Sequence, residues 1–481
     1  MVKAGAEERP NIIWLMAEDM GIDLEIYGMA GVQTPHLNQM AAEGALYKRA
    51  YATNPICSPS RSAMMVGTHQ NIFDAQHHRS HRDRPLPEPY KPITTWLREQ
   101  GYTCVLGSDL VLQKGRKVDV NFKHKAVGAY DGVENFGLFD KLDTFTAEDQ
   151  PFFNQIQLKV THRGDWWREV REQSEDPVCL DEIELPPYMA DTPEIRYDWA
   201  AYLDTVEYMD NEVGLILERL KKEGIEDNTI VIFVADNGRC NIRGKGYLQE
   251  PGIHVPMIVW APGRIEAGTV VEELVTLTDI SASILDLAGA DIPDYVTGRP
   301  VIGREHPNYR EYVRTARDIW DEIDEASRSV VTQRFKYIKN HIPDAPWDAG
   351  QAYLDLNRPA VHVMRRLARE GALSDAEMTF FEDQKPEEEL YDLENDPHEM
   401  YNLANNPEYA SVLAEMRALE REWQQENTDF GLKDLGQREP DKNLRSVQVM
   451  NAVQEKAPEL WERLEAGELM PTQSWKEYLD K

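Results

Sequence analysis

Two apolar segments that end in acidic residues constrain the fold of this chain more than any other feature. Residues 11–17 read Asn-Ile-Ile-Trp-Leu-Met-Ala and run directly into Glu18 and Asp19. Residues 229–235 form a second run of this kind, followed by Asp236. Short continuous apolar runs are typical of strands that are buried on both faces of a parallel sheet. Both segments are therefore predicted to be central strands of such a sheet.

The polar residues after these strands predict a metal site. Ligand sites in open α/β sheets lie beyond the carboxyl ends of the strands, so the two polar pairs are expected to converge. The four residues are Glu18, Asp19, Asp236 and Asn237. Their carboxylate and amide oxygens suit Ca²⁺ or Mg²⁺. One such pair alone is more often a turn or a helix cap, but two pairs, together with the cysteine motif described below, favour a metal.

The remaining patterns predict an α/β fold with a large, mostly parallel sheet sandwiched by helices and a smaller C-terminal α+β part carrying an antiparallel sheet. Further strands are predicted at residues 103–106, 256–260, 329–339 (exposed) and 389–393, and helices at residues 34–46, 93–100, 191–224, 278–287 and 409–425. The expected units are an α/β domain over 1–304, an α+β subdomain over 305–430 and a C-terminal extension of unassigned role over 431–481.

Composition excludes some classes of function. The net charge of −33 argues against binding of nucleic acid by the surface as a whole, so an anionic substrate needs a local basic site. The cysteines at positions 57, 104, 179 and 240 have no spacing typical of a disulfide framework or a zinc site. No apolar run approaches the length of a membrane span, and the first ten residues lack the apolar core of a signal peptide.

Residues 54–67 place Cys57 at the start of a predicted helix. Ser58 suits the N-cap and Pro59 the first helical position. Cys57 would then face the positive end of the helix, where free N–H groups favour an anion. Arg61, one turn later, can hold a tetrahedral oxyanion at that point through two N–H groups. A bare C-x-P-x-R would more often be an ordinary helix start with a buried cysteine.

The full segment resembles the signature of type I (formylglycine-dependent) sulfatases, C-x-P-S-R-x-x-x-x-x-G, satisfied through Gly67. These enzymes belong to the alkaline-phosphatase-like superfamily, and their cysteine is oxidised to formylglycine, whose hydrate is the nucleophile. The resemblance implies that Cys57 is the precursor of this group and that a formylglycine-generating enzyme is a partner during maturation. A sulfated carbohydrate is the implied substrate, and a periplasmic or secreted location is expected, with a cytoplasmic one left open.

The resemblance also implies roles for other residues. The family's metal-binding pairs match Glu18-Asp19 and Asp236-Asn237, and with Cys57 they would hold one Ca²⁺; Glu18 departs from the usual Asp by one methylene. Residues 244–256 resemble the family's G-K-G-x-x-x-E-x-G-I-x-V-P segment, whose lysine, here Lys245, contacts the sulfate. In the implied mechanism Asp236 assists the nucleophile, while Arg61 and Lys245 stabilise the transferring sulfuryl group.

Two segments depart from the family pattern. The usual G-K-x-H after the third strand is replaced by Gly107-Ser108-Asp109-Leu110, and Lys114 is not an assured substitute. The usual H-x-P-H element corresponds to residues 159–162, which begin with Lys159 and end with His162. Either side chain could protonate the leaving oxygen, and His162 is preferred for its pKa. A histidine at such a position is nearly as often one that supports the site residues without taking part in the reaction, and this alternative stays open for His162.

Candidate substrate residues lie in a segment rich in histidine and arginine and beside His162. They are His69, His78, Arg79, His81, Arg82, Lys159 and Trp166. The basic segment is either a solvated loop or, as we favour on so acidic a chain, a subsite for a second anionic group. Residues 69–71 and 423–429 resemble N-sulfoglucosamine sulfohydrolase-like bacterial polysaccharide sulfatases more than arylsulfatases.

Three other functions stay open at this stage. One is a sulfamidase that cleaves N-sulfate, and another is a phosphonate or phosphodiester hydrolase on the same scaffold. The third is a pseudo-enzyme that binds sulfated glycans without cleaving them, which the missing G-K-x-H element keeps open.

Overall fold

The computed structural model describes residues 9–108, 116–129, 137–164, 166–441, 444–468 and 475–478. Asp109, Leu110 and Lys114 therefore lie outside the described residues, as does the side chain of Trp166. The strands are β1 (Asn11–Ala17), β2 (Ala45–Tyr51), β3 (Thr103–Ser108), β4 (Lys125–Val127), β5 (Gly137–Phe139), β6 (Lys141–Leu142), β7 (Phe152–Leu158), β8 (Thr229–Ala235), β9 (His254–Trp260), β10 (Thr269–Thr276), β11 (Val313–Arg317), β12 (Ser327–Val331), β13 (Phe335–Asn340) and β14 (Glu388–Asp392).

The helices lie on both faces of the larger sheet and around the smaller one. They are α1 (Pro35–Ala42), α2 (Cys57–Val66), α3 (Ile93–Glu99), α4 (Trp166–Gln173), α5 (Pro193–Glu223), α6 (Glu250–Ile253), α7 (Leu277–Leu287), α8 (Ala352–Asn357), α9 (Pro359–Glu370), α10 (Asp375–Met378), α11 (Ala410–Glu426), α12 (Phe430–Lys433), α13 (Arg445–Lys456) and α14 (Pro458–Glu465). None of these described helices is both long and apolar enough to span a bilayer.

The larger sheet confirms the predicted α/β architecture. Among the described residues it has eight strands in the order β10-β2-β9-β8-β1-β7-β3-β6. Strands β1 and β8 lie side by side at its centre, and every residue of both is buried. All pairings are parallel except those of β9, which runs antiparallel to both β2 and β8. The two apolar runs are thus the buried central strands that the sequence predicts.

One predicted helix was wrong in its second half. Residues 34–46 were expected to be helical throughout, but α1 ends at Ala42 and Leu46 belongs to β2. The break falls at Gly44, where a Cβ atom would lie 2.1 Å from the carbonyl oxygen of Val259 on β9. Only glycine allows this close approach of two backbones, so the helix cannot continue there.

The C-terminal sheet confirms the predicted antiparallel arrangement. Its order is β11-β12-β13-β14, and each pairing is antiparallel. Residues 329–339 were expected to be one exposed strand but form most of a buried hairpin instead. Val330 and Tyr337 pack against α11, while the adjacent Val331 and Ile338 pack against the larger domain. The alternation that indicated exposure reflects burial against two different partners.

The long helix α5 forms as its sequence predicts. Thr192 caps its N-terminus by accepting the N–H of Ile195, and Gly224 ends it at a φ of +67°. This positive φ is the left-handed conformation that glycine adopts without strain. The apolar stripe is buried along its whole length apart from the half-buried Leu217.

Candidate active site

The carboxyl ends of β1 and β8 bring the two predicted polar pairs together. Ala17 and Ala235 are register partners in these parallel strands, so the residues that follow them meet at one edge of the sheet. The Asp19 N–H donates to Oδ1 of Asp236 at 3.2 Å, and the Asn237 Nδ2 donates to Oδ1 of Asp19 at 3.1 Å. All of these side chains are buried.

Lys245 reaches this cluster from the loop that follows β8. Its Nζ lies 2.6 and 2.8 Å from the two carboxylate oxygens of Asp19. The loop depends on glycine beside the lysine, because Gly246 has a φ of +94° and a Cβ there would lie 2.2 Å from the ring of Trp320. Burial works against ionisation of Asp19, yet the ammonium of Lys245 and the nearby His162 keep its pKa below the ordinary range.

Cys57 begins helix α2 and points into the same cluster. Its Sγ lies 3.6 Å from Oδ1 of Asp19, and ligand atoms of Cys57, Asp19 and Asp236 all lie within 4.8 Å of one another. Ile56, not Ser58, is the N-cap, so the predicted cap was wrong by two residues. Ser58 lies inside the first turn, and its hydroxyl bonds the ring of His78 instead.

The encoded thiol is a poor nucleophile at this position. Burial raises the pKa of Cys57 to about 12, although Lys117 and Lys245 act in the opposite direction. A thiol with this pKa stays protonated near neutral pH, and the thiolate is the nucleophilic form of cysteine. The unmodified side chain therefore fits a precursor better than a working thiolate.

Arg61 presents two free guanidinium nitrogens beside Cys57. Its Nε donates to Oδ2 of Asp236 at 2.7 Å, while Nη1 and Nη2 are buried and have no hydrogen-bond partner among the described residues. Buried guanidinium N–H groups without a partner carry a large desolvation cost. A bound oxyanion would satisfy both of them in the forked geometry that arginine offers.

Lys117 is a site residue that the sequence did not identify. Its Nζ lies 2.5 Å from Oε2 of Glu18 and 3.4 Å from Oδ2 of Asp119. It thus supplies a second ammonium next to the acidic cluster, in the region where the family's G-K-x-H element is absent. The only sequence signal was a lysine shortly after the third strand, which is too common to single out.

His162 also reaches the cluster, from the turn after β7. Its Nε2 lies 3.9 Å from Oε2 of Glu18 and 3.7 Å from Oδ2 of Asp19. Burial lowers its pKa, although these two carboxylates oppose that effect. Lys159 ends up half-buried at the start of the same turn, where its carbonyl oxygen accepts the His162 N–H at 3.0 Å.

Some side chains of the basic segment after α2 lie near Cys57, and others lie away from it. His78 is bonded to Ser58 at 2.9 Å, and Arg79 and Arg82 both bond Asp119. His81 instead turns toward Asp74, with its Nδ1 2.6 Å from that residue's carbonyl oxygen. The structure therefore places only part of this segment beside Cys57.

His69 lies in a different, buried cluster. Its ring packs edge-on against Trp423 at a centroid distance of 5.3 Å, and Trp423 in turn lies under the guanidinium of Arg314. Arg314 also pairs with Asp429, which accepts from Arg328 as well. These contacts tie the C-terminal subdomain to the chain just after α2.

The second domain contributes Asp321 and Tyr353, which the sequence also did not indicate. Oδ1 of Asp321 lies 4.0 Å from Nε2 of His78. Tyr353 lies between two site residues, because the Lys245 Nζ is 5.5 Å from its ring centroid and the His162 ring is 6.4 Å away. Its hydroxyl is buried, and no described residue forms a hydrogen bond with it.

The donor set fits a hard divalent cation. Asp19, Asp236 and the position-57 side chain already lie within 4.8 Å of one another. Two further oxygens of the cluster, Oε1 of Glu18 and Oδ1 of Asn237, are buried and accept no hydrogen bond from the part of the chain that the structure describes. Buried oxygens left without a donor are costly unless something else coordinates them, and oxygen-rich sets of this kind suit Ca²⁺.

Comparisons with known proteins agree on one family. The sulfatase family profile matches residues 10–290, and a second profile, "N-sulphoglucosamine sulphohydrolase, C-terminal", matches residues 238–358. An ulvan-active sulfatase of Formosa agariphila is 31% identical over 453 residues, covering 85% of this chain and 74% of that protein. N-sulphoglucosamine sulphohydrolase of Homo sapiens is 27% identical over 481 residues, covering 87% and 90%.

The solved structures agree on the fold. A 2-O GAG sulfatase superimposes with a TM-score of 0.62 at 19% identity, covering 92% of this chain and 96% of that one. The family profile accounts for more than half of the chain and includes Cys57, Arg61 and the two polar pairs that end β1 and β8. The chain belongs to the sulfatase family.

Proposed function

We propose that this protein hydrolyses sulfate esters of a sulfated carbohydrate, with a formylglycine made from Cys57 as nucleophile and one bound Ca²⁺. The unpartnered Nη1 and Nη2 of Arg61 carry this proposal, because they are buried next to Cys57 and match two oxygens of a sulfate group. The named relatives support a glycan substrate, since one is described as active on ulvan and another as a sulphohydrolase of N-sulphoglucosamine.

The residues around position 57 divide the proposed reaction among them. The hydrate of formylglycine supplies the attacking hydroxyl, and Asp236, which has an oxygen within 4.8 Å of the position-57 side chain, accepts its proton. Arg61 and the ammonium of Lys245 stabilise the charge on the sulfuryl oxygens, and Lys117 adds to the same field. His162 gives a proton to the sugar oxygen as its bond to sulfur breaks. The second hydroxyl of the hydrate then loses its proton and expels sulfate, which restores the aldehyde.

The proposed calcium site comprises Glu18, Asp19, Asp236, Asn237 and the position-57 oxygen. A divalent cation there would supply Lewis-acid polarisation of the sulfate. The residues themselves orient the nucleophile, because Asp19 and Asp236 bond each other as well as Lys245 and Arg61. The proposal also implies two partners: a sulfated oligo- or polysaccharide as substrate, and a formylglycine-generating enzyme that acts on Cys57. We expect the enzyme to act in the periplasm or outside the cell.

The first experiment tests the nucleophile and the reaction together. The protein is co-expressed with a formylglycine-generating enzyme, the peptide across Cys57 is analysed by mass spectrometry, and sulfate release is measured on O-sulfated oligosaccharides. We expect an aldehyde at position 57 and sulfate release that depends on it. An unmodified thiol, or binding of the glycan without any release, would contradict the proposal and support a glycan-binding pseudo-enzyme.

Matched substrates separate the two enzymatic alternatives. Glucosamine 6-sulfate and N-sulfoglucosamine differ in whether an O–S or an N–S bond must break. Turnover of the N-sulfate alone would indicate a sulfamidase. Phosphodiester or phosphonate turnover above that of the sulfate esters would indicate the other hydrolase.

Removal of Ca²⁺ is expected to lower both activity and thermal stability. Without a cation, the buried oxygens of Glu18 and Asn237 lose their partner and the carboxylates repel each other. A ligand present at one hundred times its Kd stabilises the folded state by about 2.7 kcal/mol. We expect dialysis against EGTA to lower the Tm and Ca²⁺ to restore it better than Mg²⁺. A Tm that Ca²⁺ leaves unchanged would contradict the metal assignment, and Asp19→Asn serves as the variant with a weakened site.

The pH dependence of KM is expected to reflect the ionisation of Asp321. Burial, reinforced by neighbouring Glu322, raises the pKa of Asp321 to about 6. The other groups that face it are Arg79, Lys245, Asp119 and His78, and burial keeps the pKa of His78 well below its ordinary value. The carboxyl is mostly neutral at about pH 5 and negative at about pH 7, where it repels an anionic substrate. We expect KM to rise over this interval, and Asp321→Asn to reduce the rise. An identical KM profile in the variant would contradict this role.

A further inference from the structure

Two arginines beside the proposed site share one buried carboxylate. Arg79 binds Asp119 in a forked geometry, with Nε 3.2 Å from Oδ1 and Nη2 3.0 Å from Oδ2. Nη2 of Arg82 bonds the same Oδ1. Asp119 is buried, with 3% of its side chain exposed, whereas each arginine side chain is 45% exposed. The carboxylate thus holds two guanidinium groups that still face solvent.

The loop that carries these arginines is fixed against helix α2. The Ser58 hydroxyl accepts the N–H of Arg79 at 3.0 Å and bonds the ring of His78 at 2.9 Å. Ser58 directly follows Cys57, so this contact places the loop next to the proposed nucleophile. The side-chain amide of Asn121 accepts the N–H of His81 and donates to two carbonyl oxygens of the same loop. The loop is therefore preorganised.

The solvent-facing charge around Asp119 is positive. Lys117 also approaches Asp119, at 3.4 Å, so this single carboxylate contacts three cations. Lys117 is shared with Glu18, and Asp321 faces Arg79, but neither arginine forms a second ion pair among the described residues. Because Asp119 is buried and both arginine side chains are 45% exposed, the charge that faces solvent here is positive, and on a chain with a net charge of −33 such a patch beside the proposed nucleophile favours an anionic ligand.

We propose that Arg79 and Arg82, positioned by Asp119, bind a second anionic group of the substrate, in addition to the sulfate that is removed. The group is a carboxylate or a second sulfate, since the N–H groups of Nη1 and Nη2 of Arg79 that Asp119 does not use form a second planar fork that matches the paired oxygens of both. The proposal rests on the proposed function and narrows it to substrates with at least two anionic groups close together. Asp119 acts as a positioning residue, because its own oxygens are engaged by the arginines.

The test compares substrates that differ in one anionic group. Matured protein is assayed with glucosamine 6-sulfate and with glucosamine N,6-O-disulfate, and with two monosulfated disaccharides, one containing a uronate and the other a neutral sugar. We expect a higher kcat/KM for each doubly anionic substrate. In Arg79→Ala and Arg82→Ala this preference should fall roughly ten- to a hundred-fold, mainly through KM, since a hydrogen bond to a charged group is lost. Loss of the preference for the disulfate or for the uronate alone identifies which anion the subsite accepts.

Matched variants test whether the loss of preference comes from the subsite itself and not from a general change in charge or folding. Arg84 belongs to the same loop but pairs with Asp74 at 3.3 Å, and 60% of its side chain is exposed, so Arg84→Ala should retain the preference. Arg79→Lys keeps the charge without the fork and should recover part of the lost preference. Asp119→Asn should lower the preference and also the Tm, because the buried carboxylate pairs with three cations.

The test separates failure of the second subsite from failure of the proposed function. Failure to release sulfate from any substrate would overturn the proposed function itself. Equal use of singly and doubly anionic substrates by a fully active enzyme, or an unchanged preference in both arginine variants, would overturn only the second subsite.

Discussion

Replacing Cys57 by alanine is expected to abolish sulfate release, with a loss of roughly 10⁴- to 10⁶-fold in kcat, as for other enzymes that lose their nucleophile. The change removes the thiol sulfur, without which Cβ cannot be oxidised to the aldehyde of the proposed formylglycine. It should cost little stability, because alanine fits the start of α2 and only the sulfur is deleted. The measurements are sulfate release from the best substrate and the Tm of both proteins.

A second buried cysteine provides the matched control. Cys104 on β3 is fully buried, and its thiol contacts the carbonyl oxygen of Thr94, away from the acidic cluster. Cys104→Ala should therefore remove a comparable sulfur and retain activity. Substantial turnover by Cys57→Ala would show that the nucleophile has been misassigned.

Arg61→Lys is expected to lower kcat by roughly 10²- to 10³-fold, the usual effect of losing a preorganised donor to a developing oxyanion. The guanidinium binds Asp236 through Nε and leaves both Nη groups for the sulfate. A lysine keeps the charge but cannot serve both partners from one ammonium. We expect the loss mainly in kcat, because the sulfuryl oxygens gain charge in the transition state.

Arg98→Lys is a suitable comparison for this variant. Arg98 lies on α3, where it bonds Asp140 at 2.9 Å and the carbonyl oxygens of Gly128 and Gly137, outside the acidic cluster, so its replacement should leave kcat unchanged. The two variants are compared by kcat, KM and Tm. A fall in Tm with an unchanged kcat in Arg61→Lys would indicate that Arg61 only stabilises the fold.

The central strands could be predicted from the sequence, whereas β2 could not. Strands β1 and β8 are uninterrupted apolar runs because both of their faces are buried. Strand β2 carries Lys48 and Arg49 in its middle, which are half-buried, and the apolar pattern is lost there. The reversed direction of β9 was also not readable, since direction depends on the connection. Residues 236–253 return to the sheet without a long crossover helix, which permits an antiparallel neighbour.

The candidate site divides in the same way. Asp19 and Asp236 were predicted as candidates because each follows an apolar strand, and Lys245 because residues 244–256 resemble a family segment. Lys117 and Asp321 were missed, because only the tertiary fold carries them to the cluster from an irregular segment and from the second domain. The direction of a side chain in an irregular loop is likewise set by the whole fold.

The burial of Cys57 also limits when the proposed modification could occur. Only 1% of its surface is exposed once α2 lies against the ends of β1 and β8, so the proposed formylglycine-generating enzyme would have to act before these parts assemble. Asp236 is one of the residues that bury Cys57 in the folded protein. It is synthesised about 180 residues after Cys57, which takes about 10–40 s at 5–20 residues per second. The proposed conversion of Cys57 would thus compete with chain elongation and folding. The fraction of protein that carries formylglycine would then depend on the speed of translation as well as on the activity of the maturation enzyme.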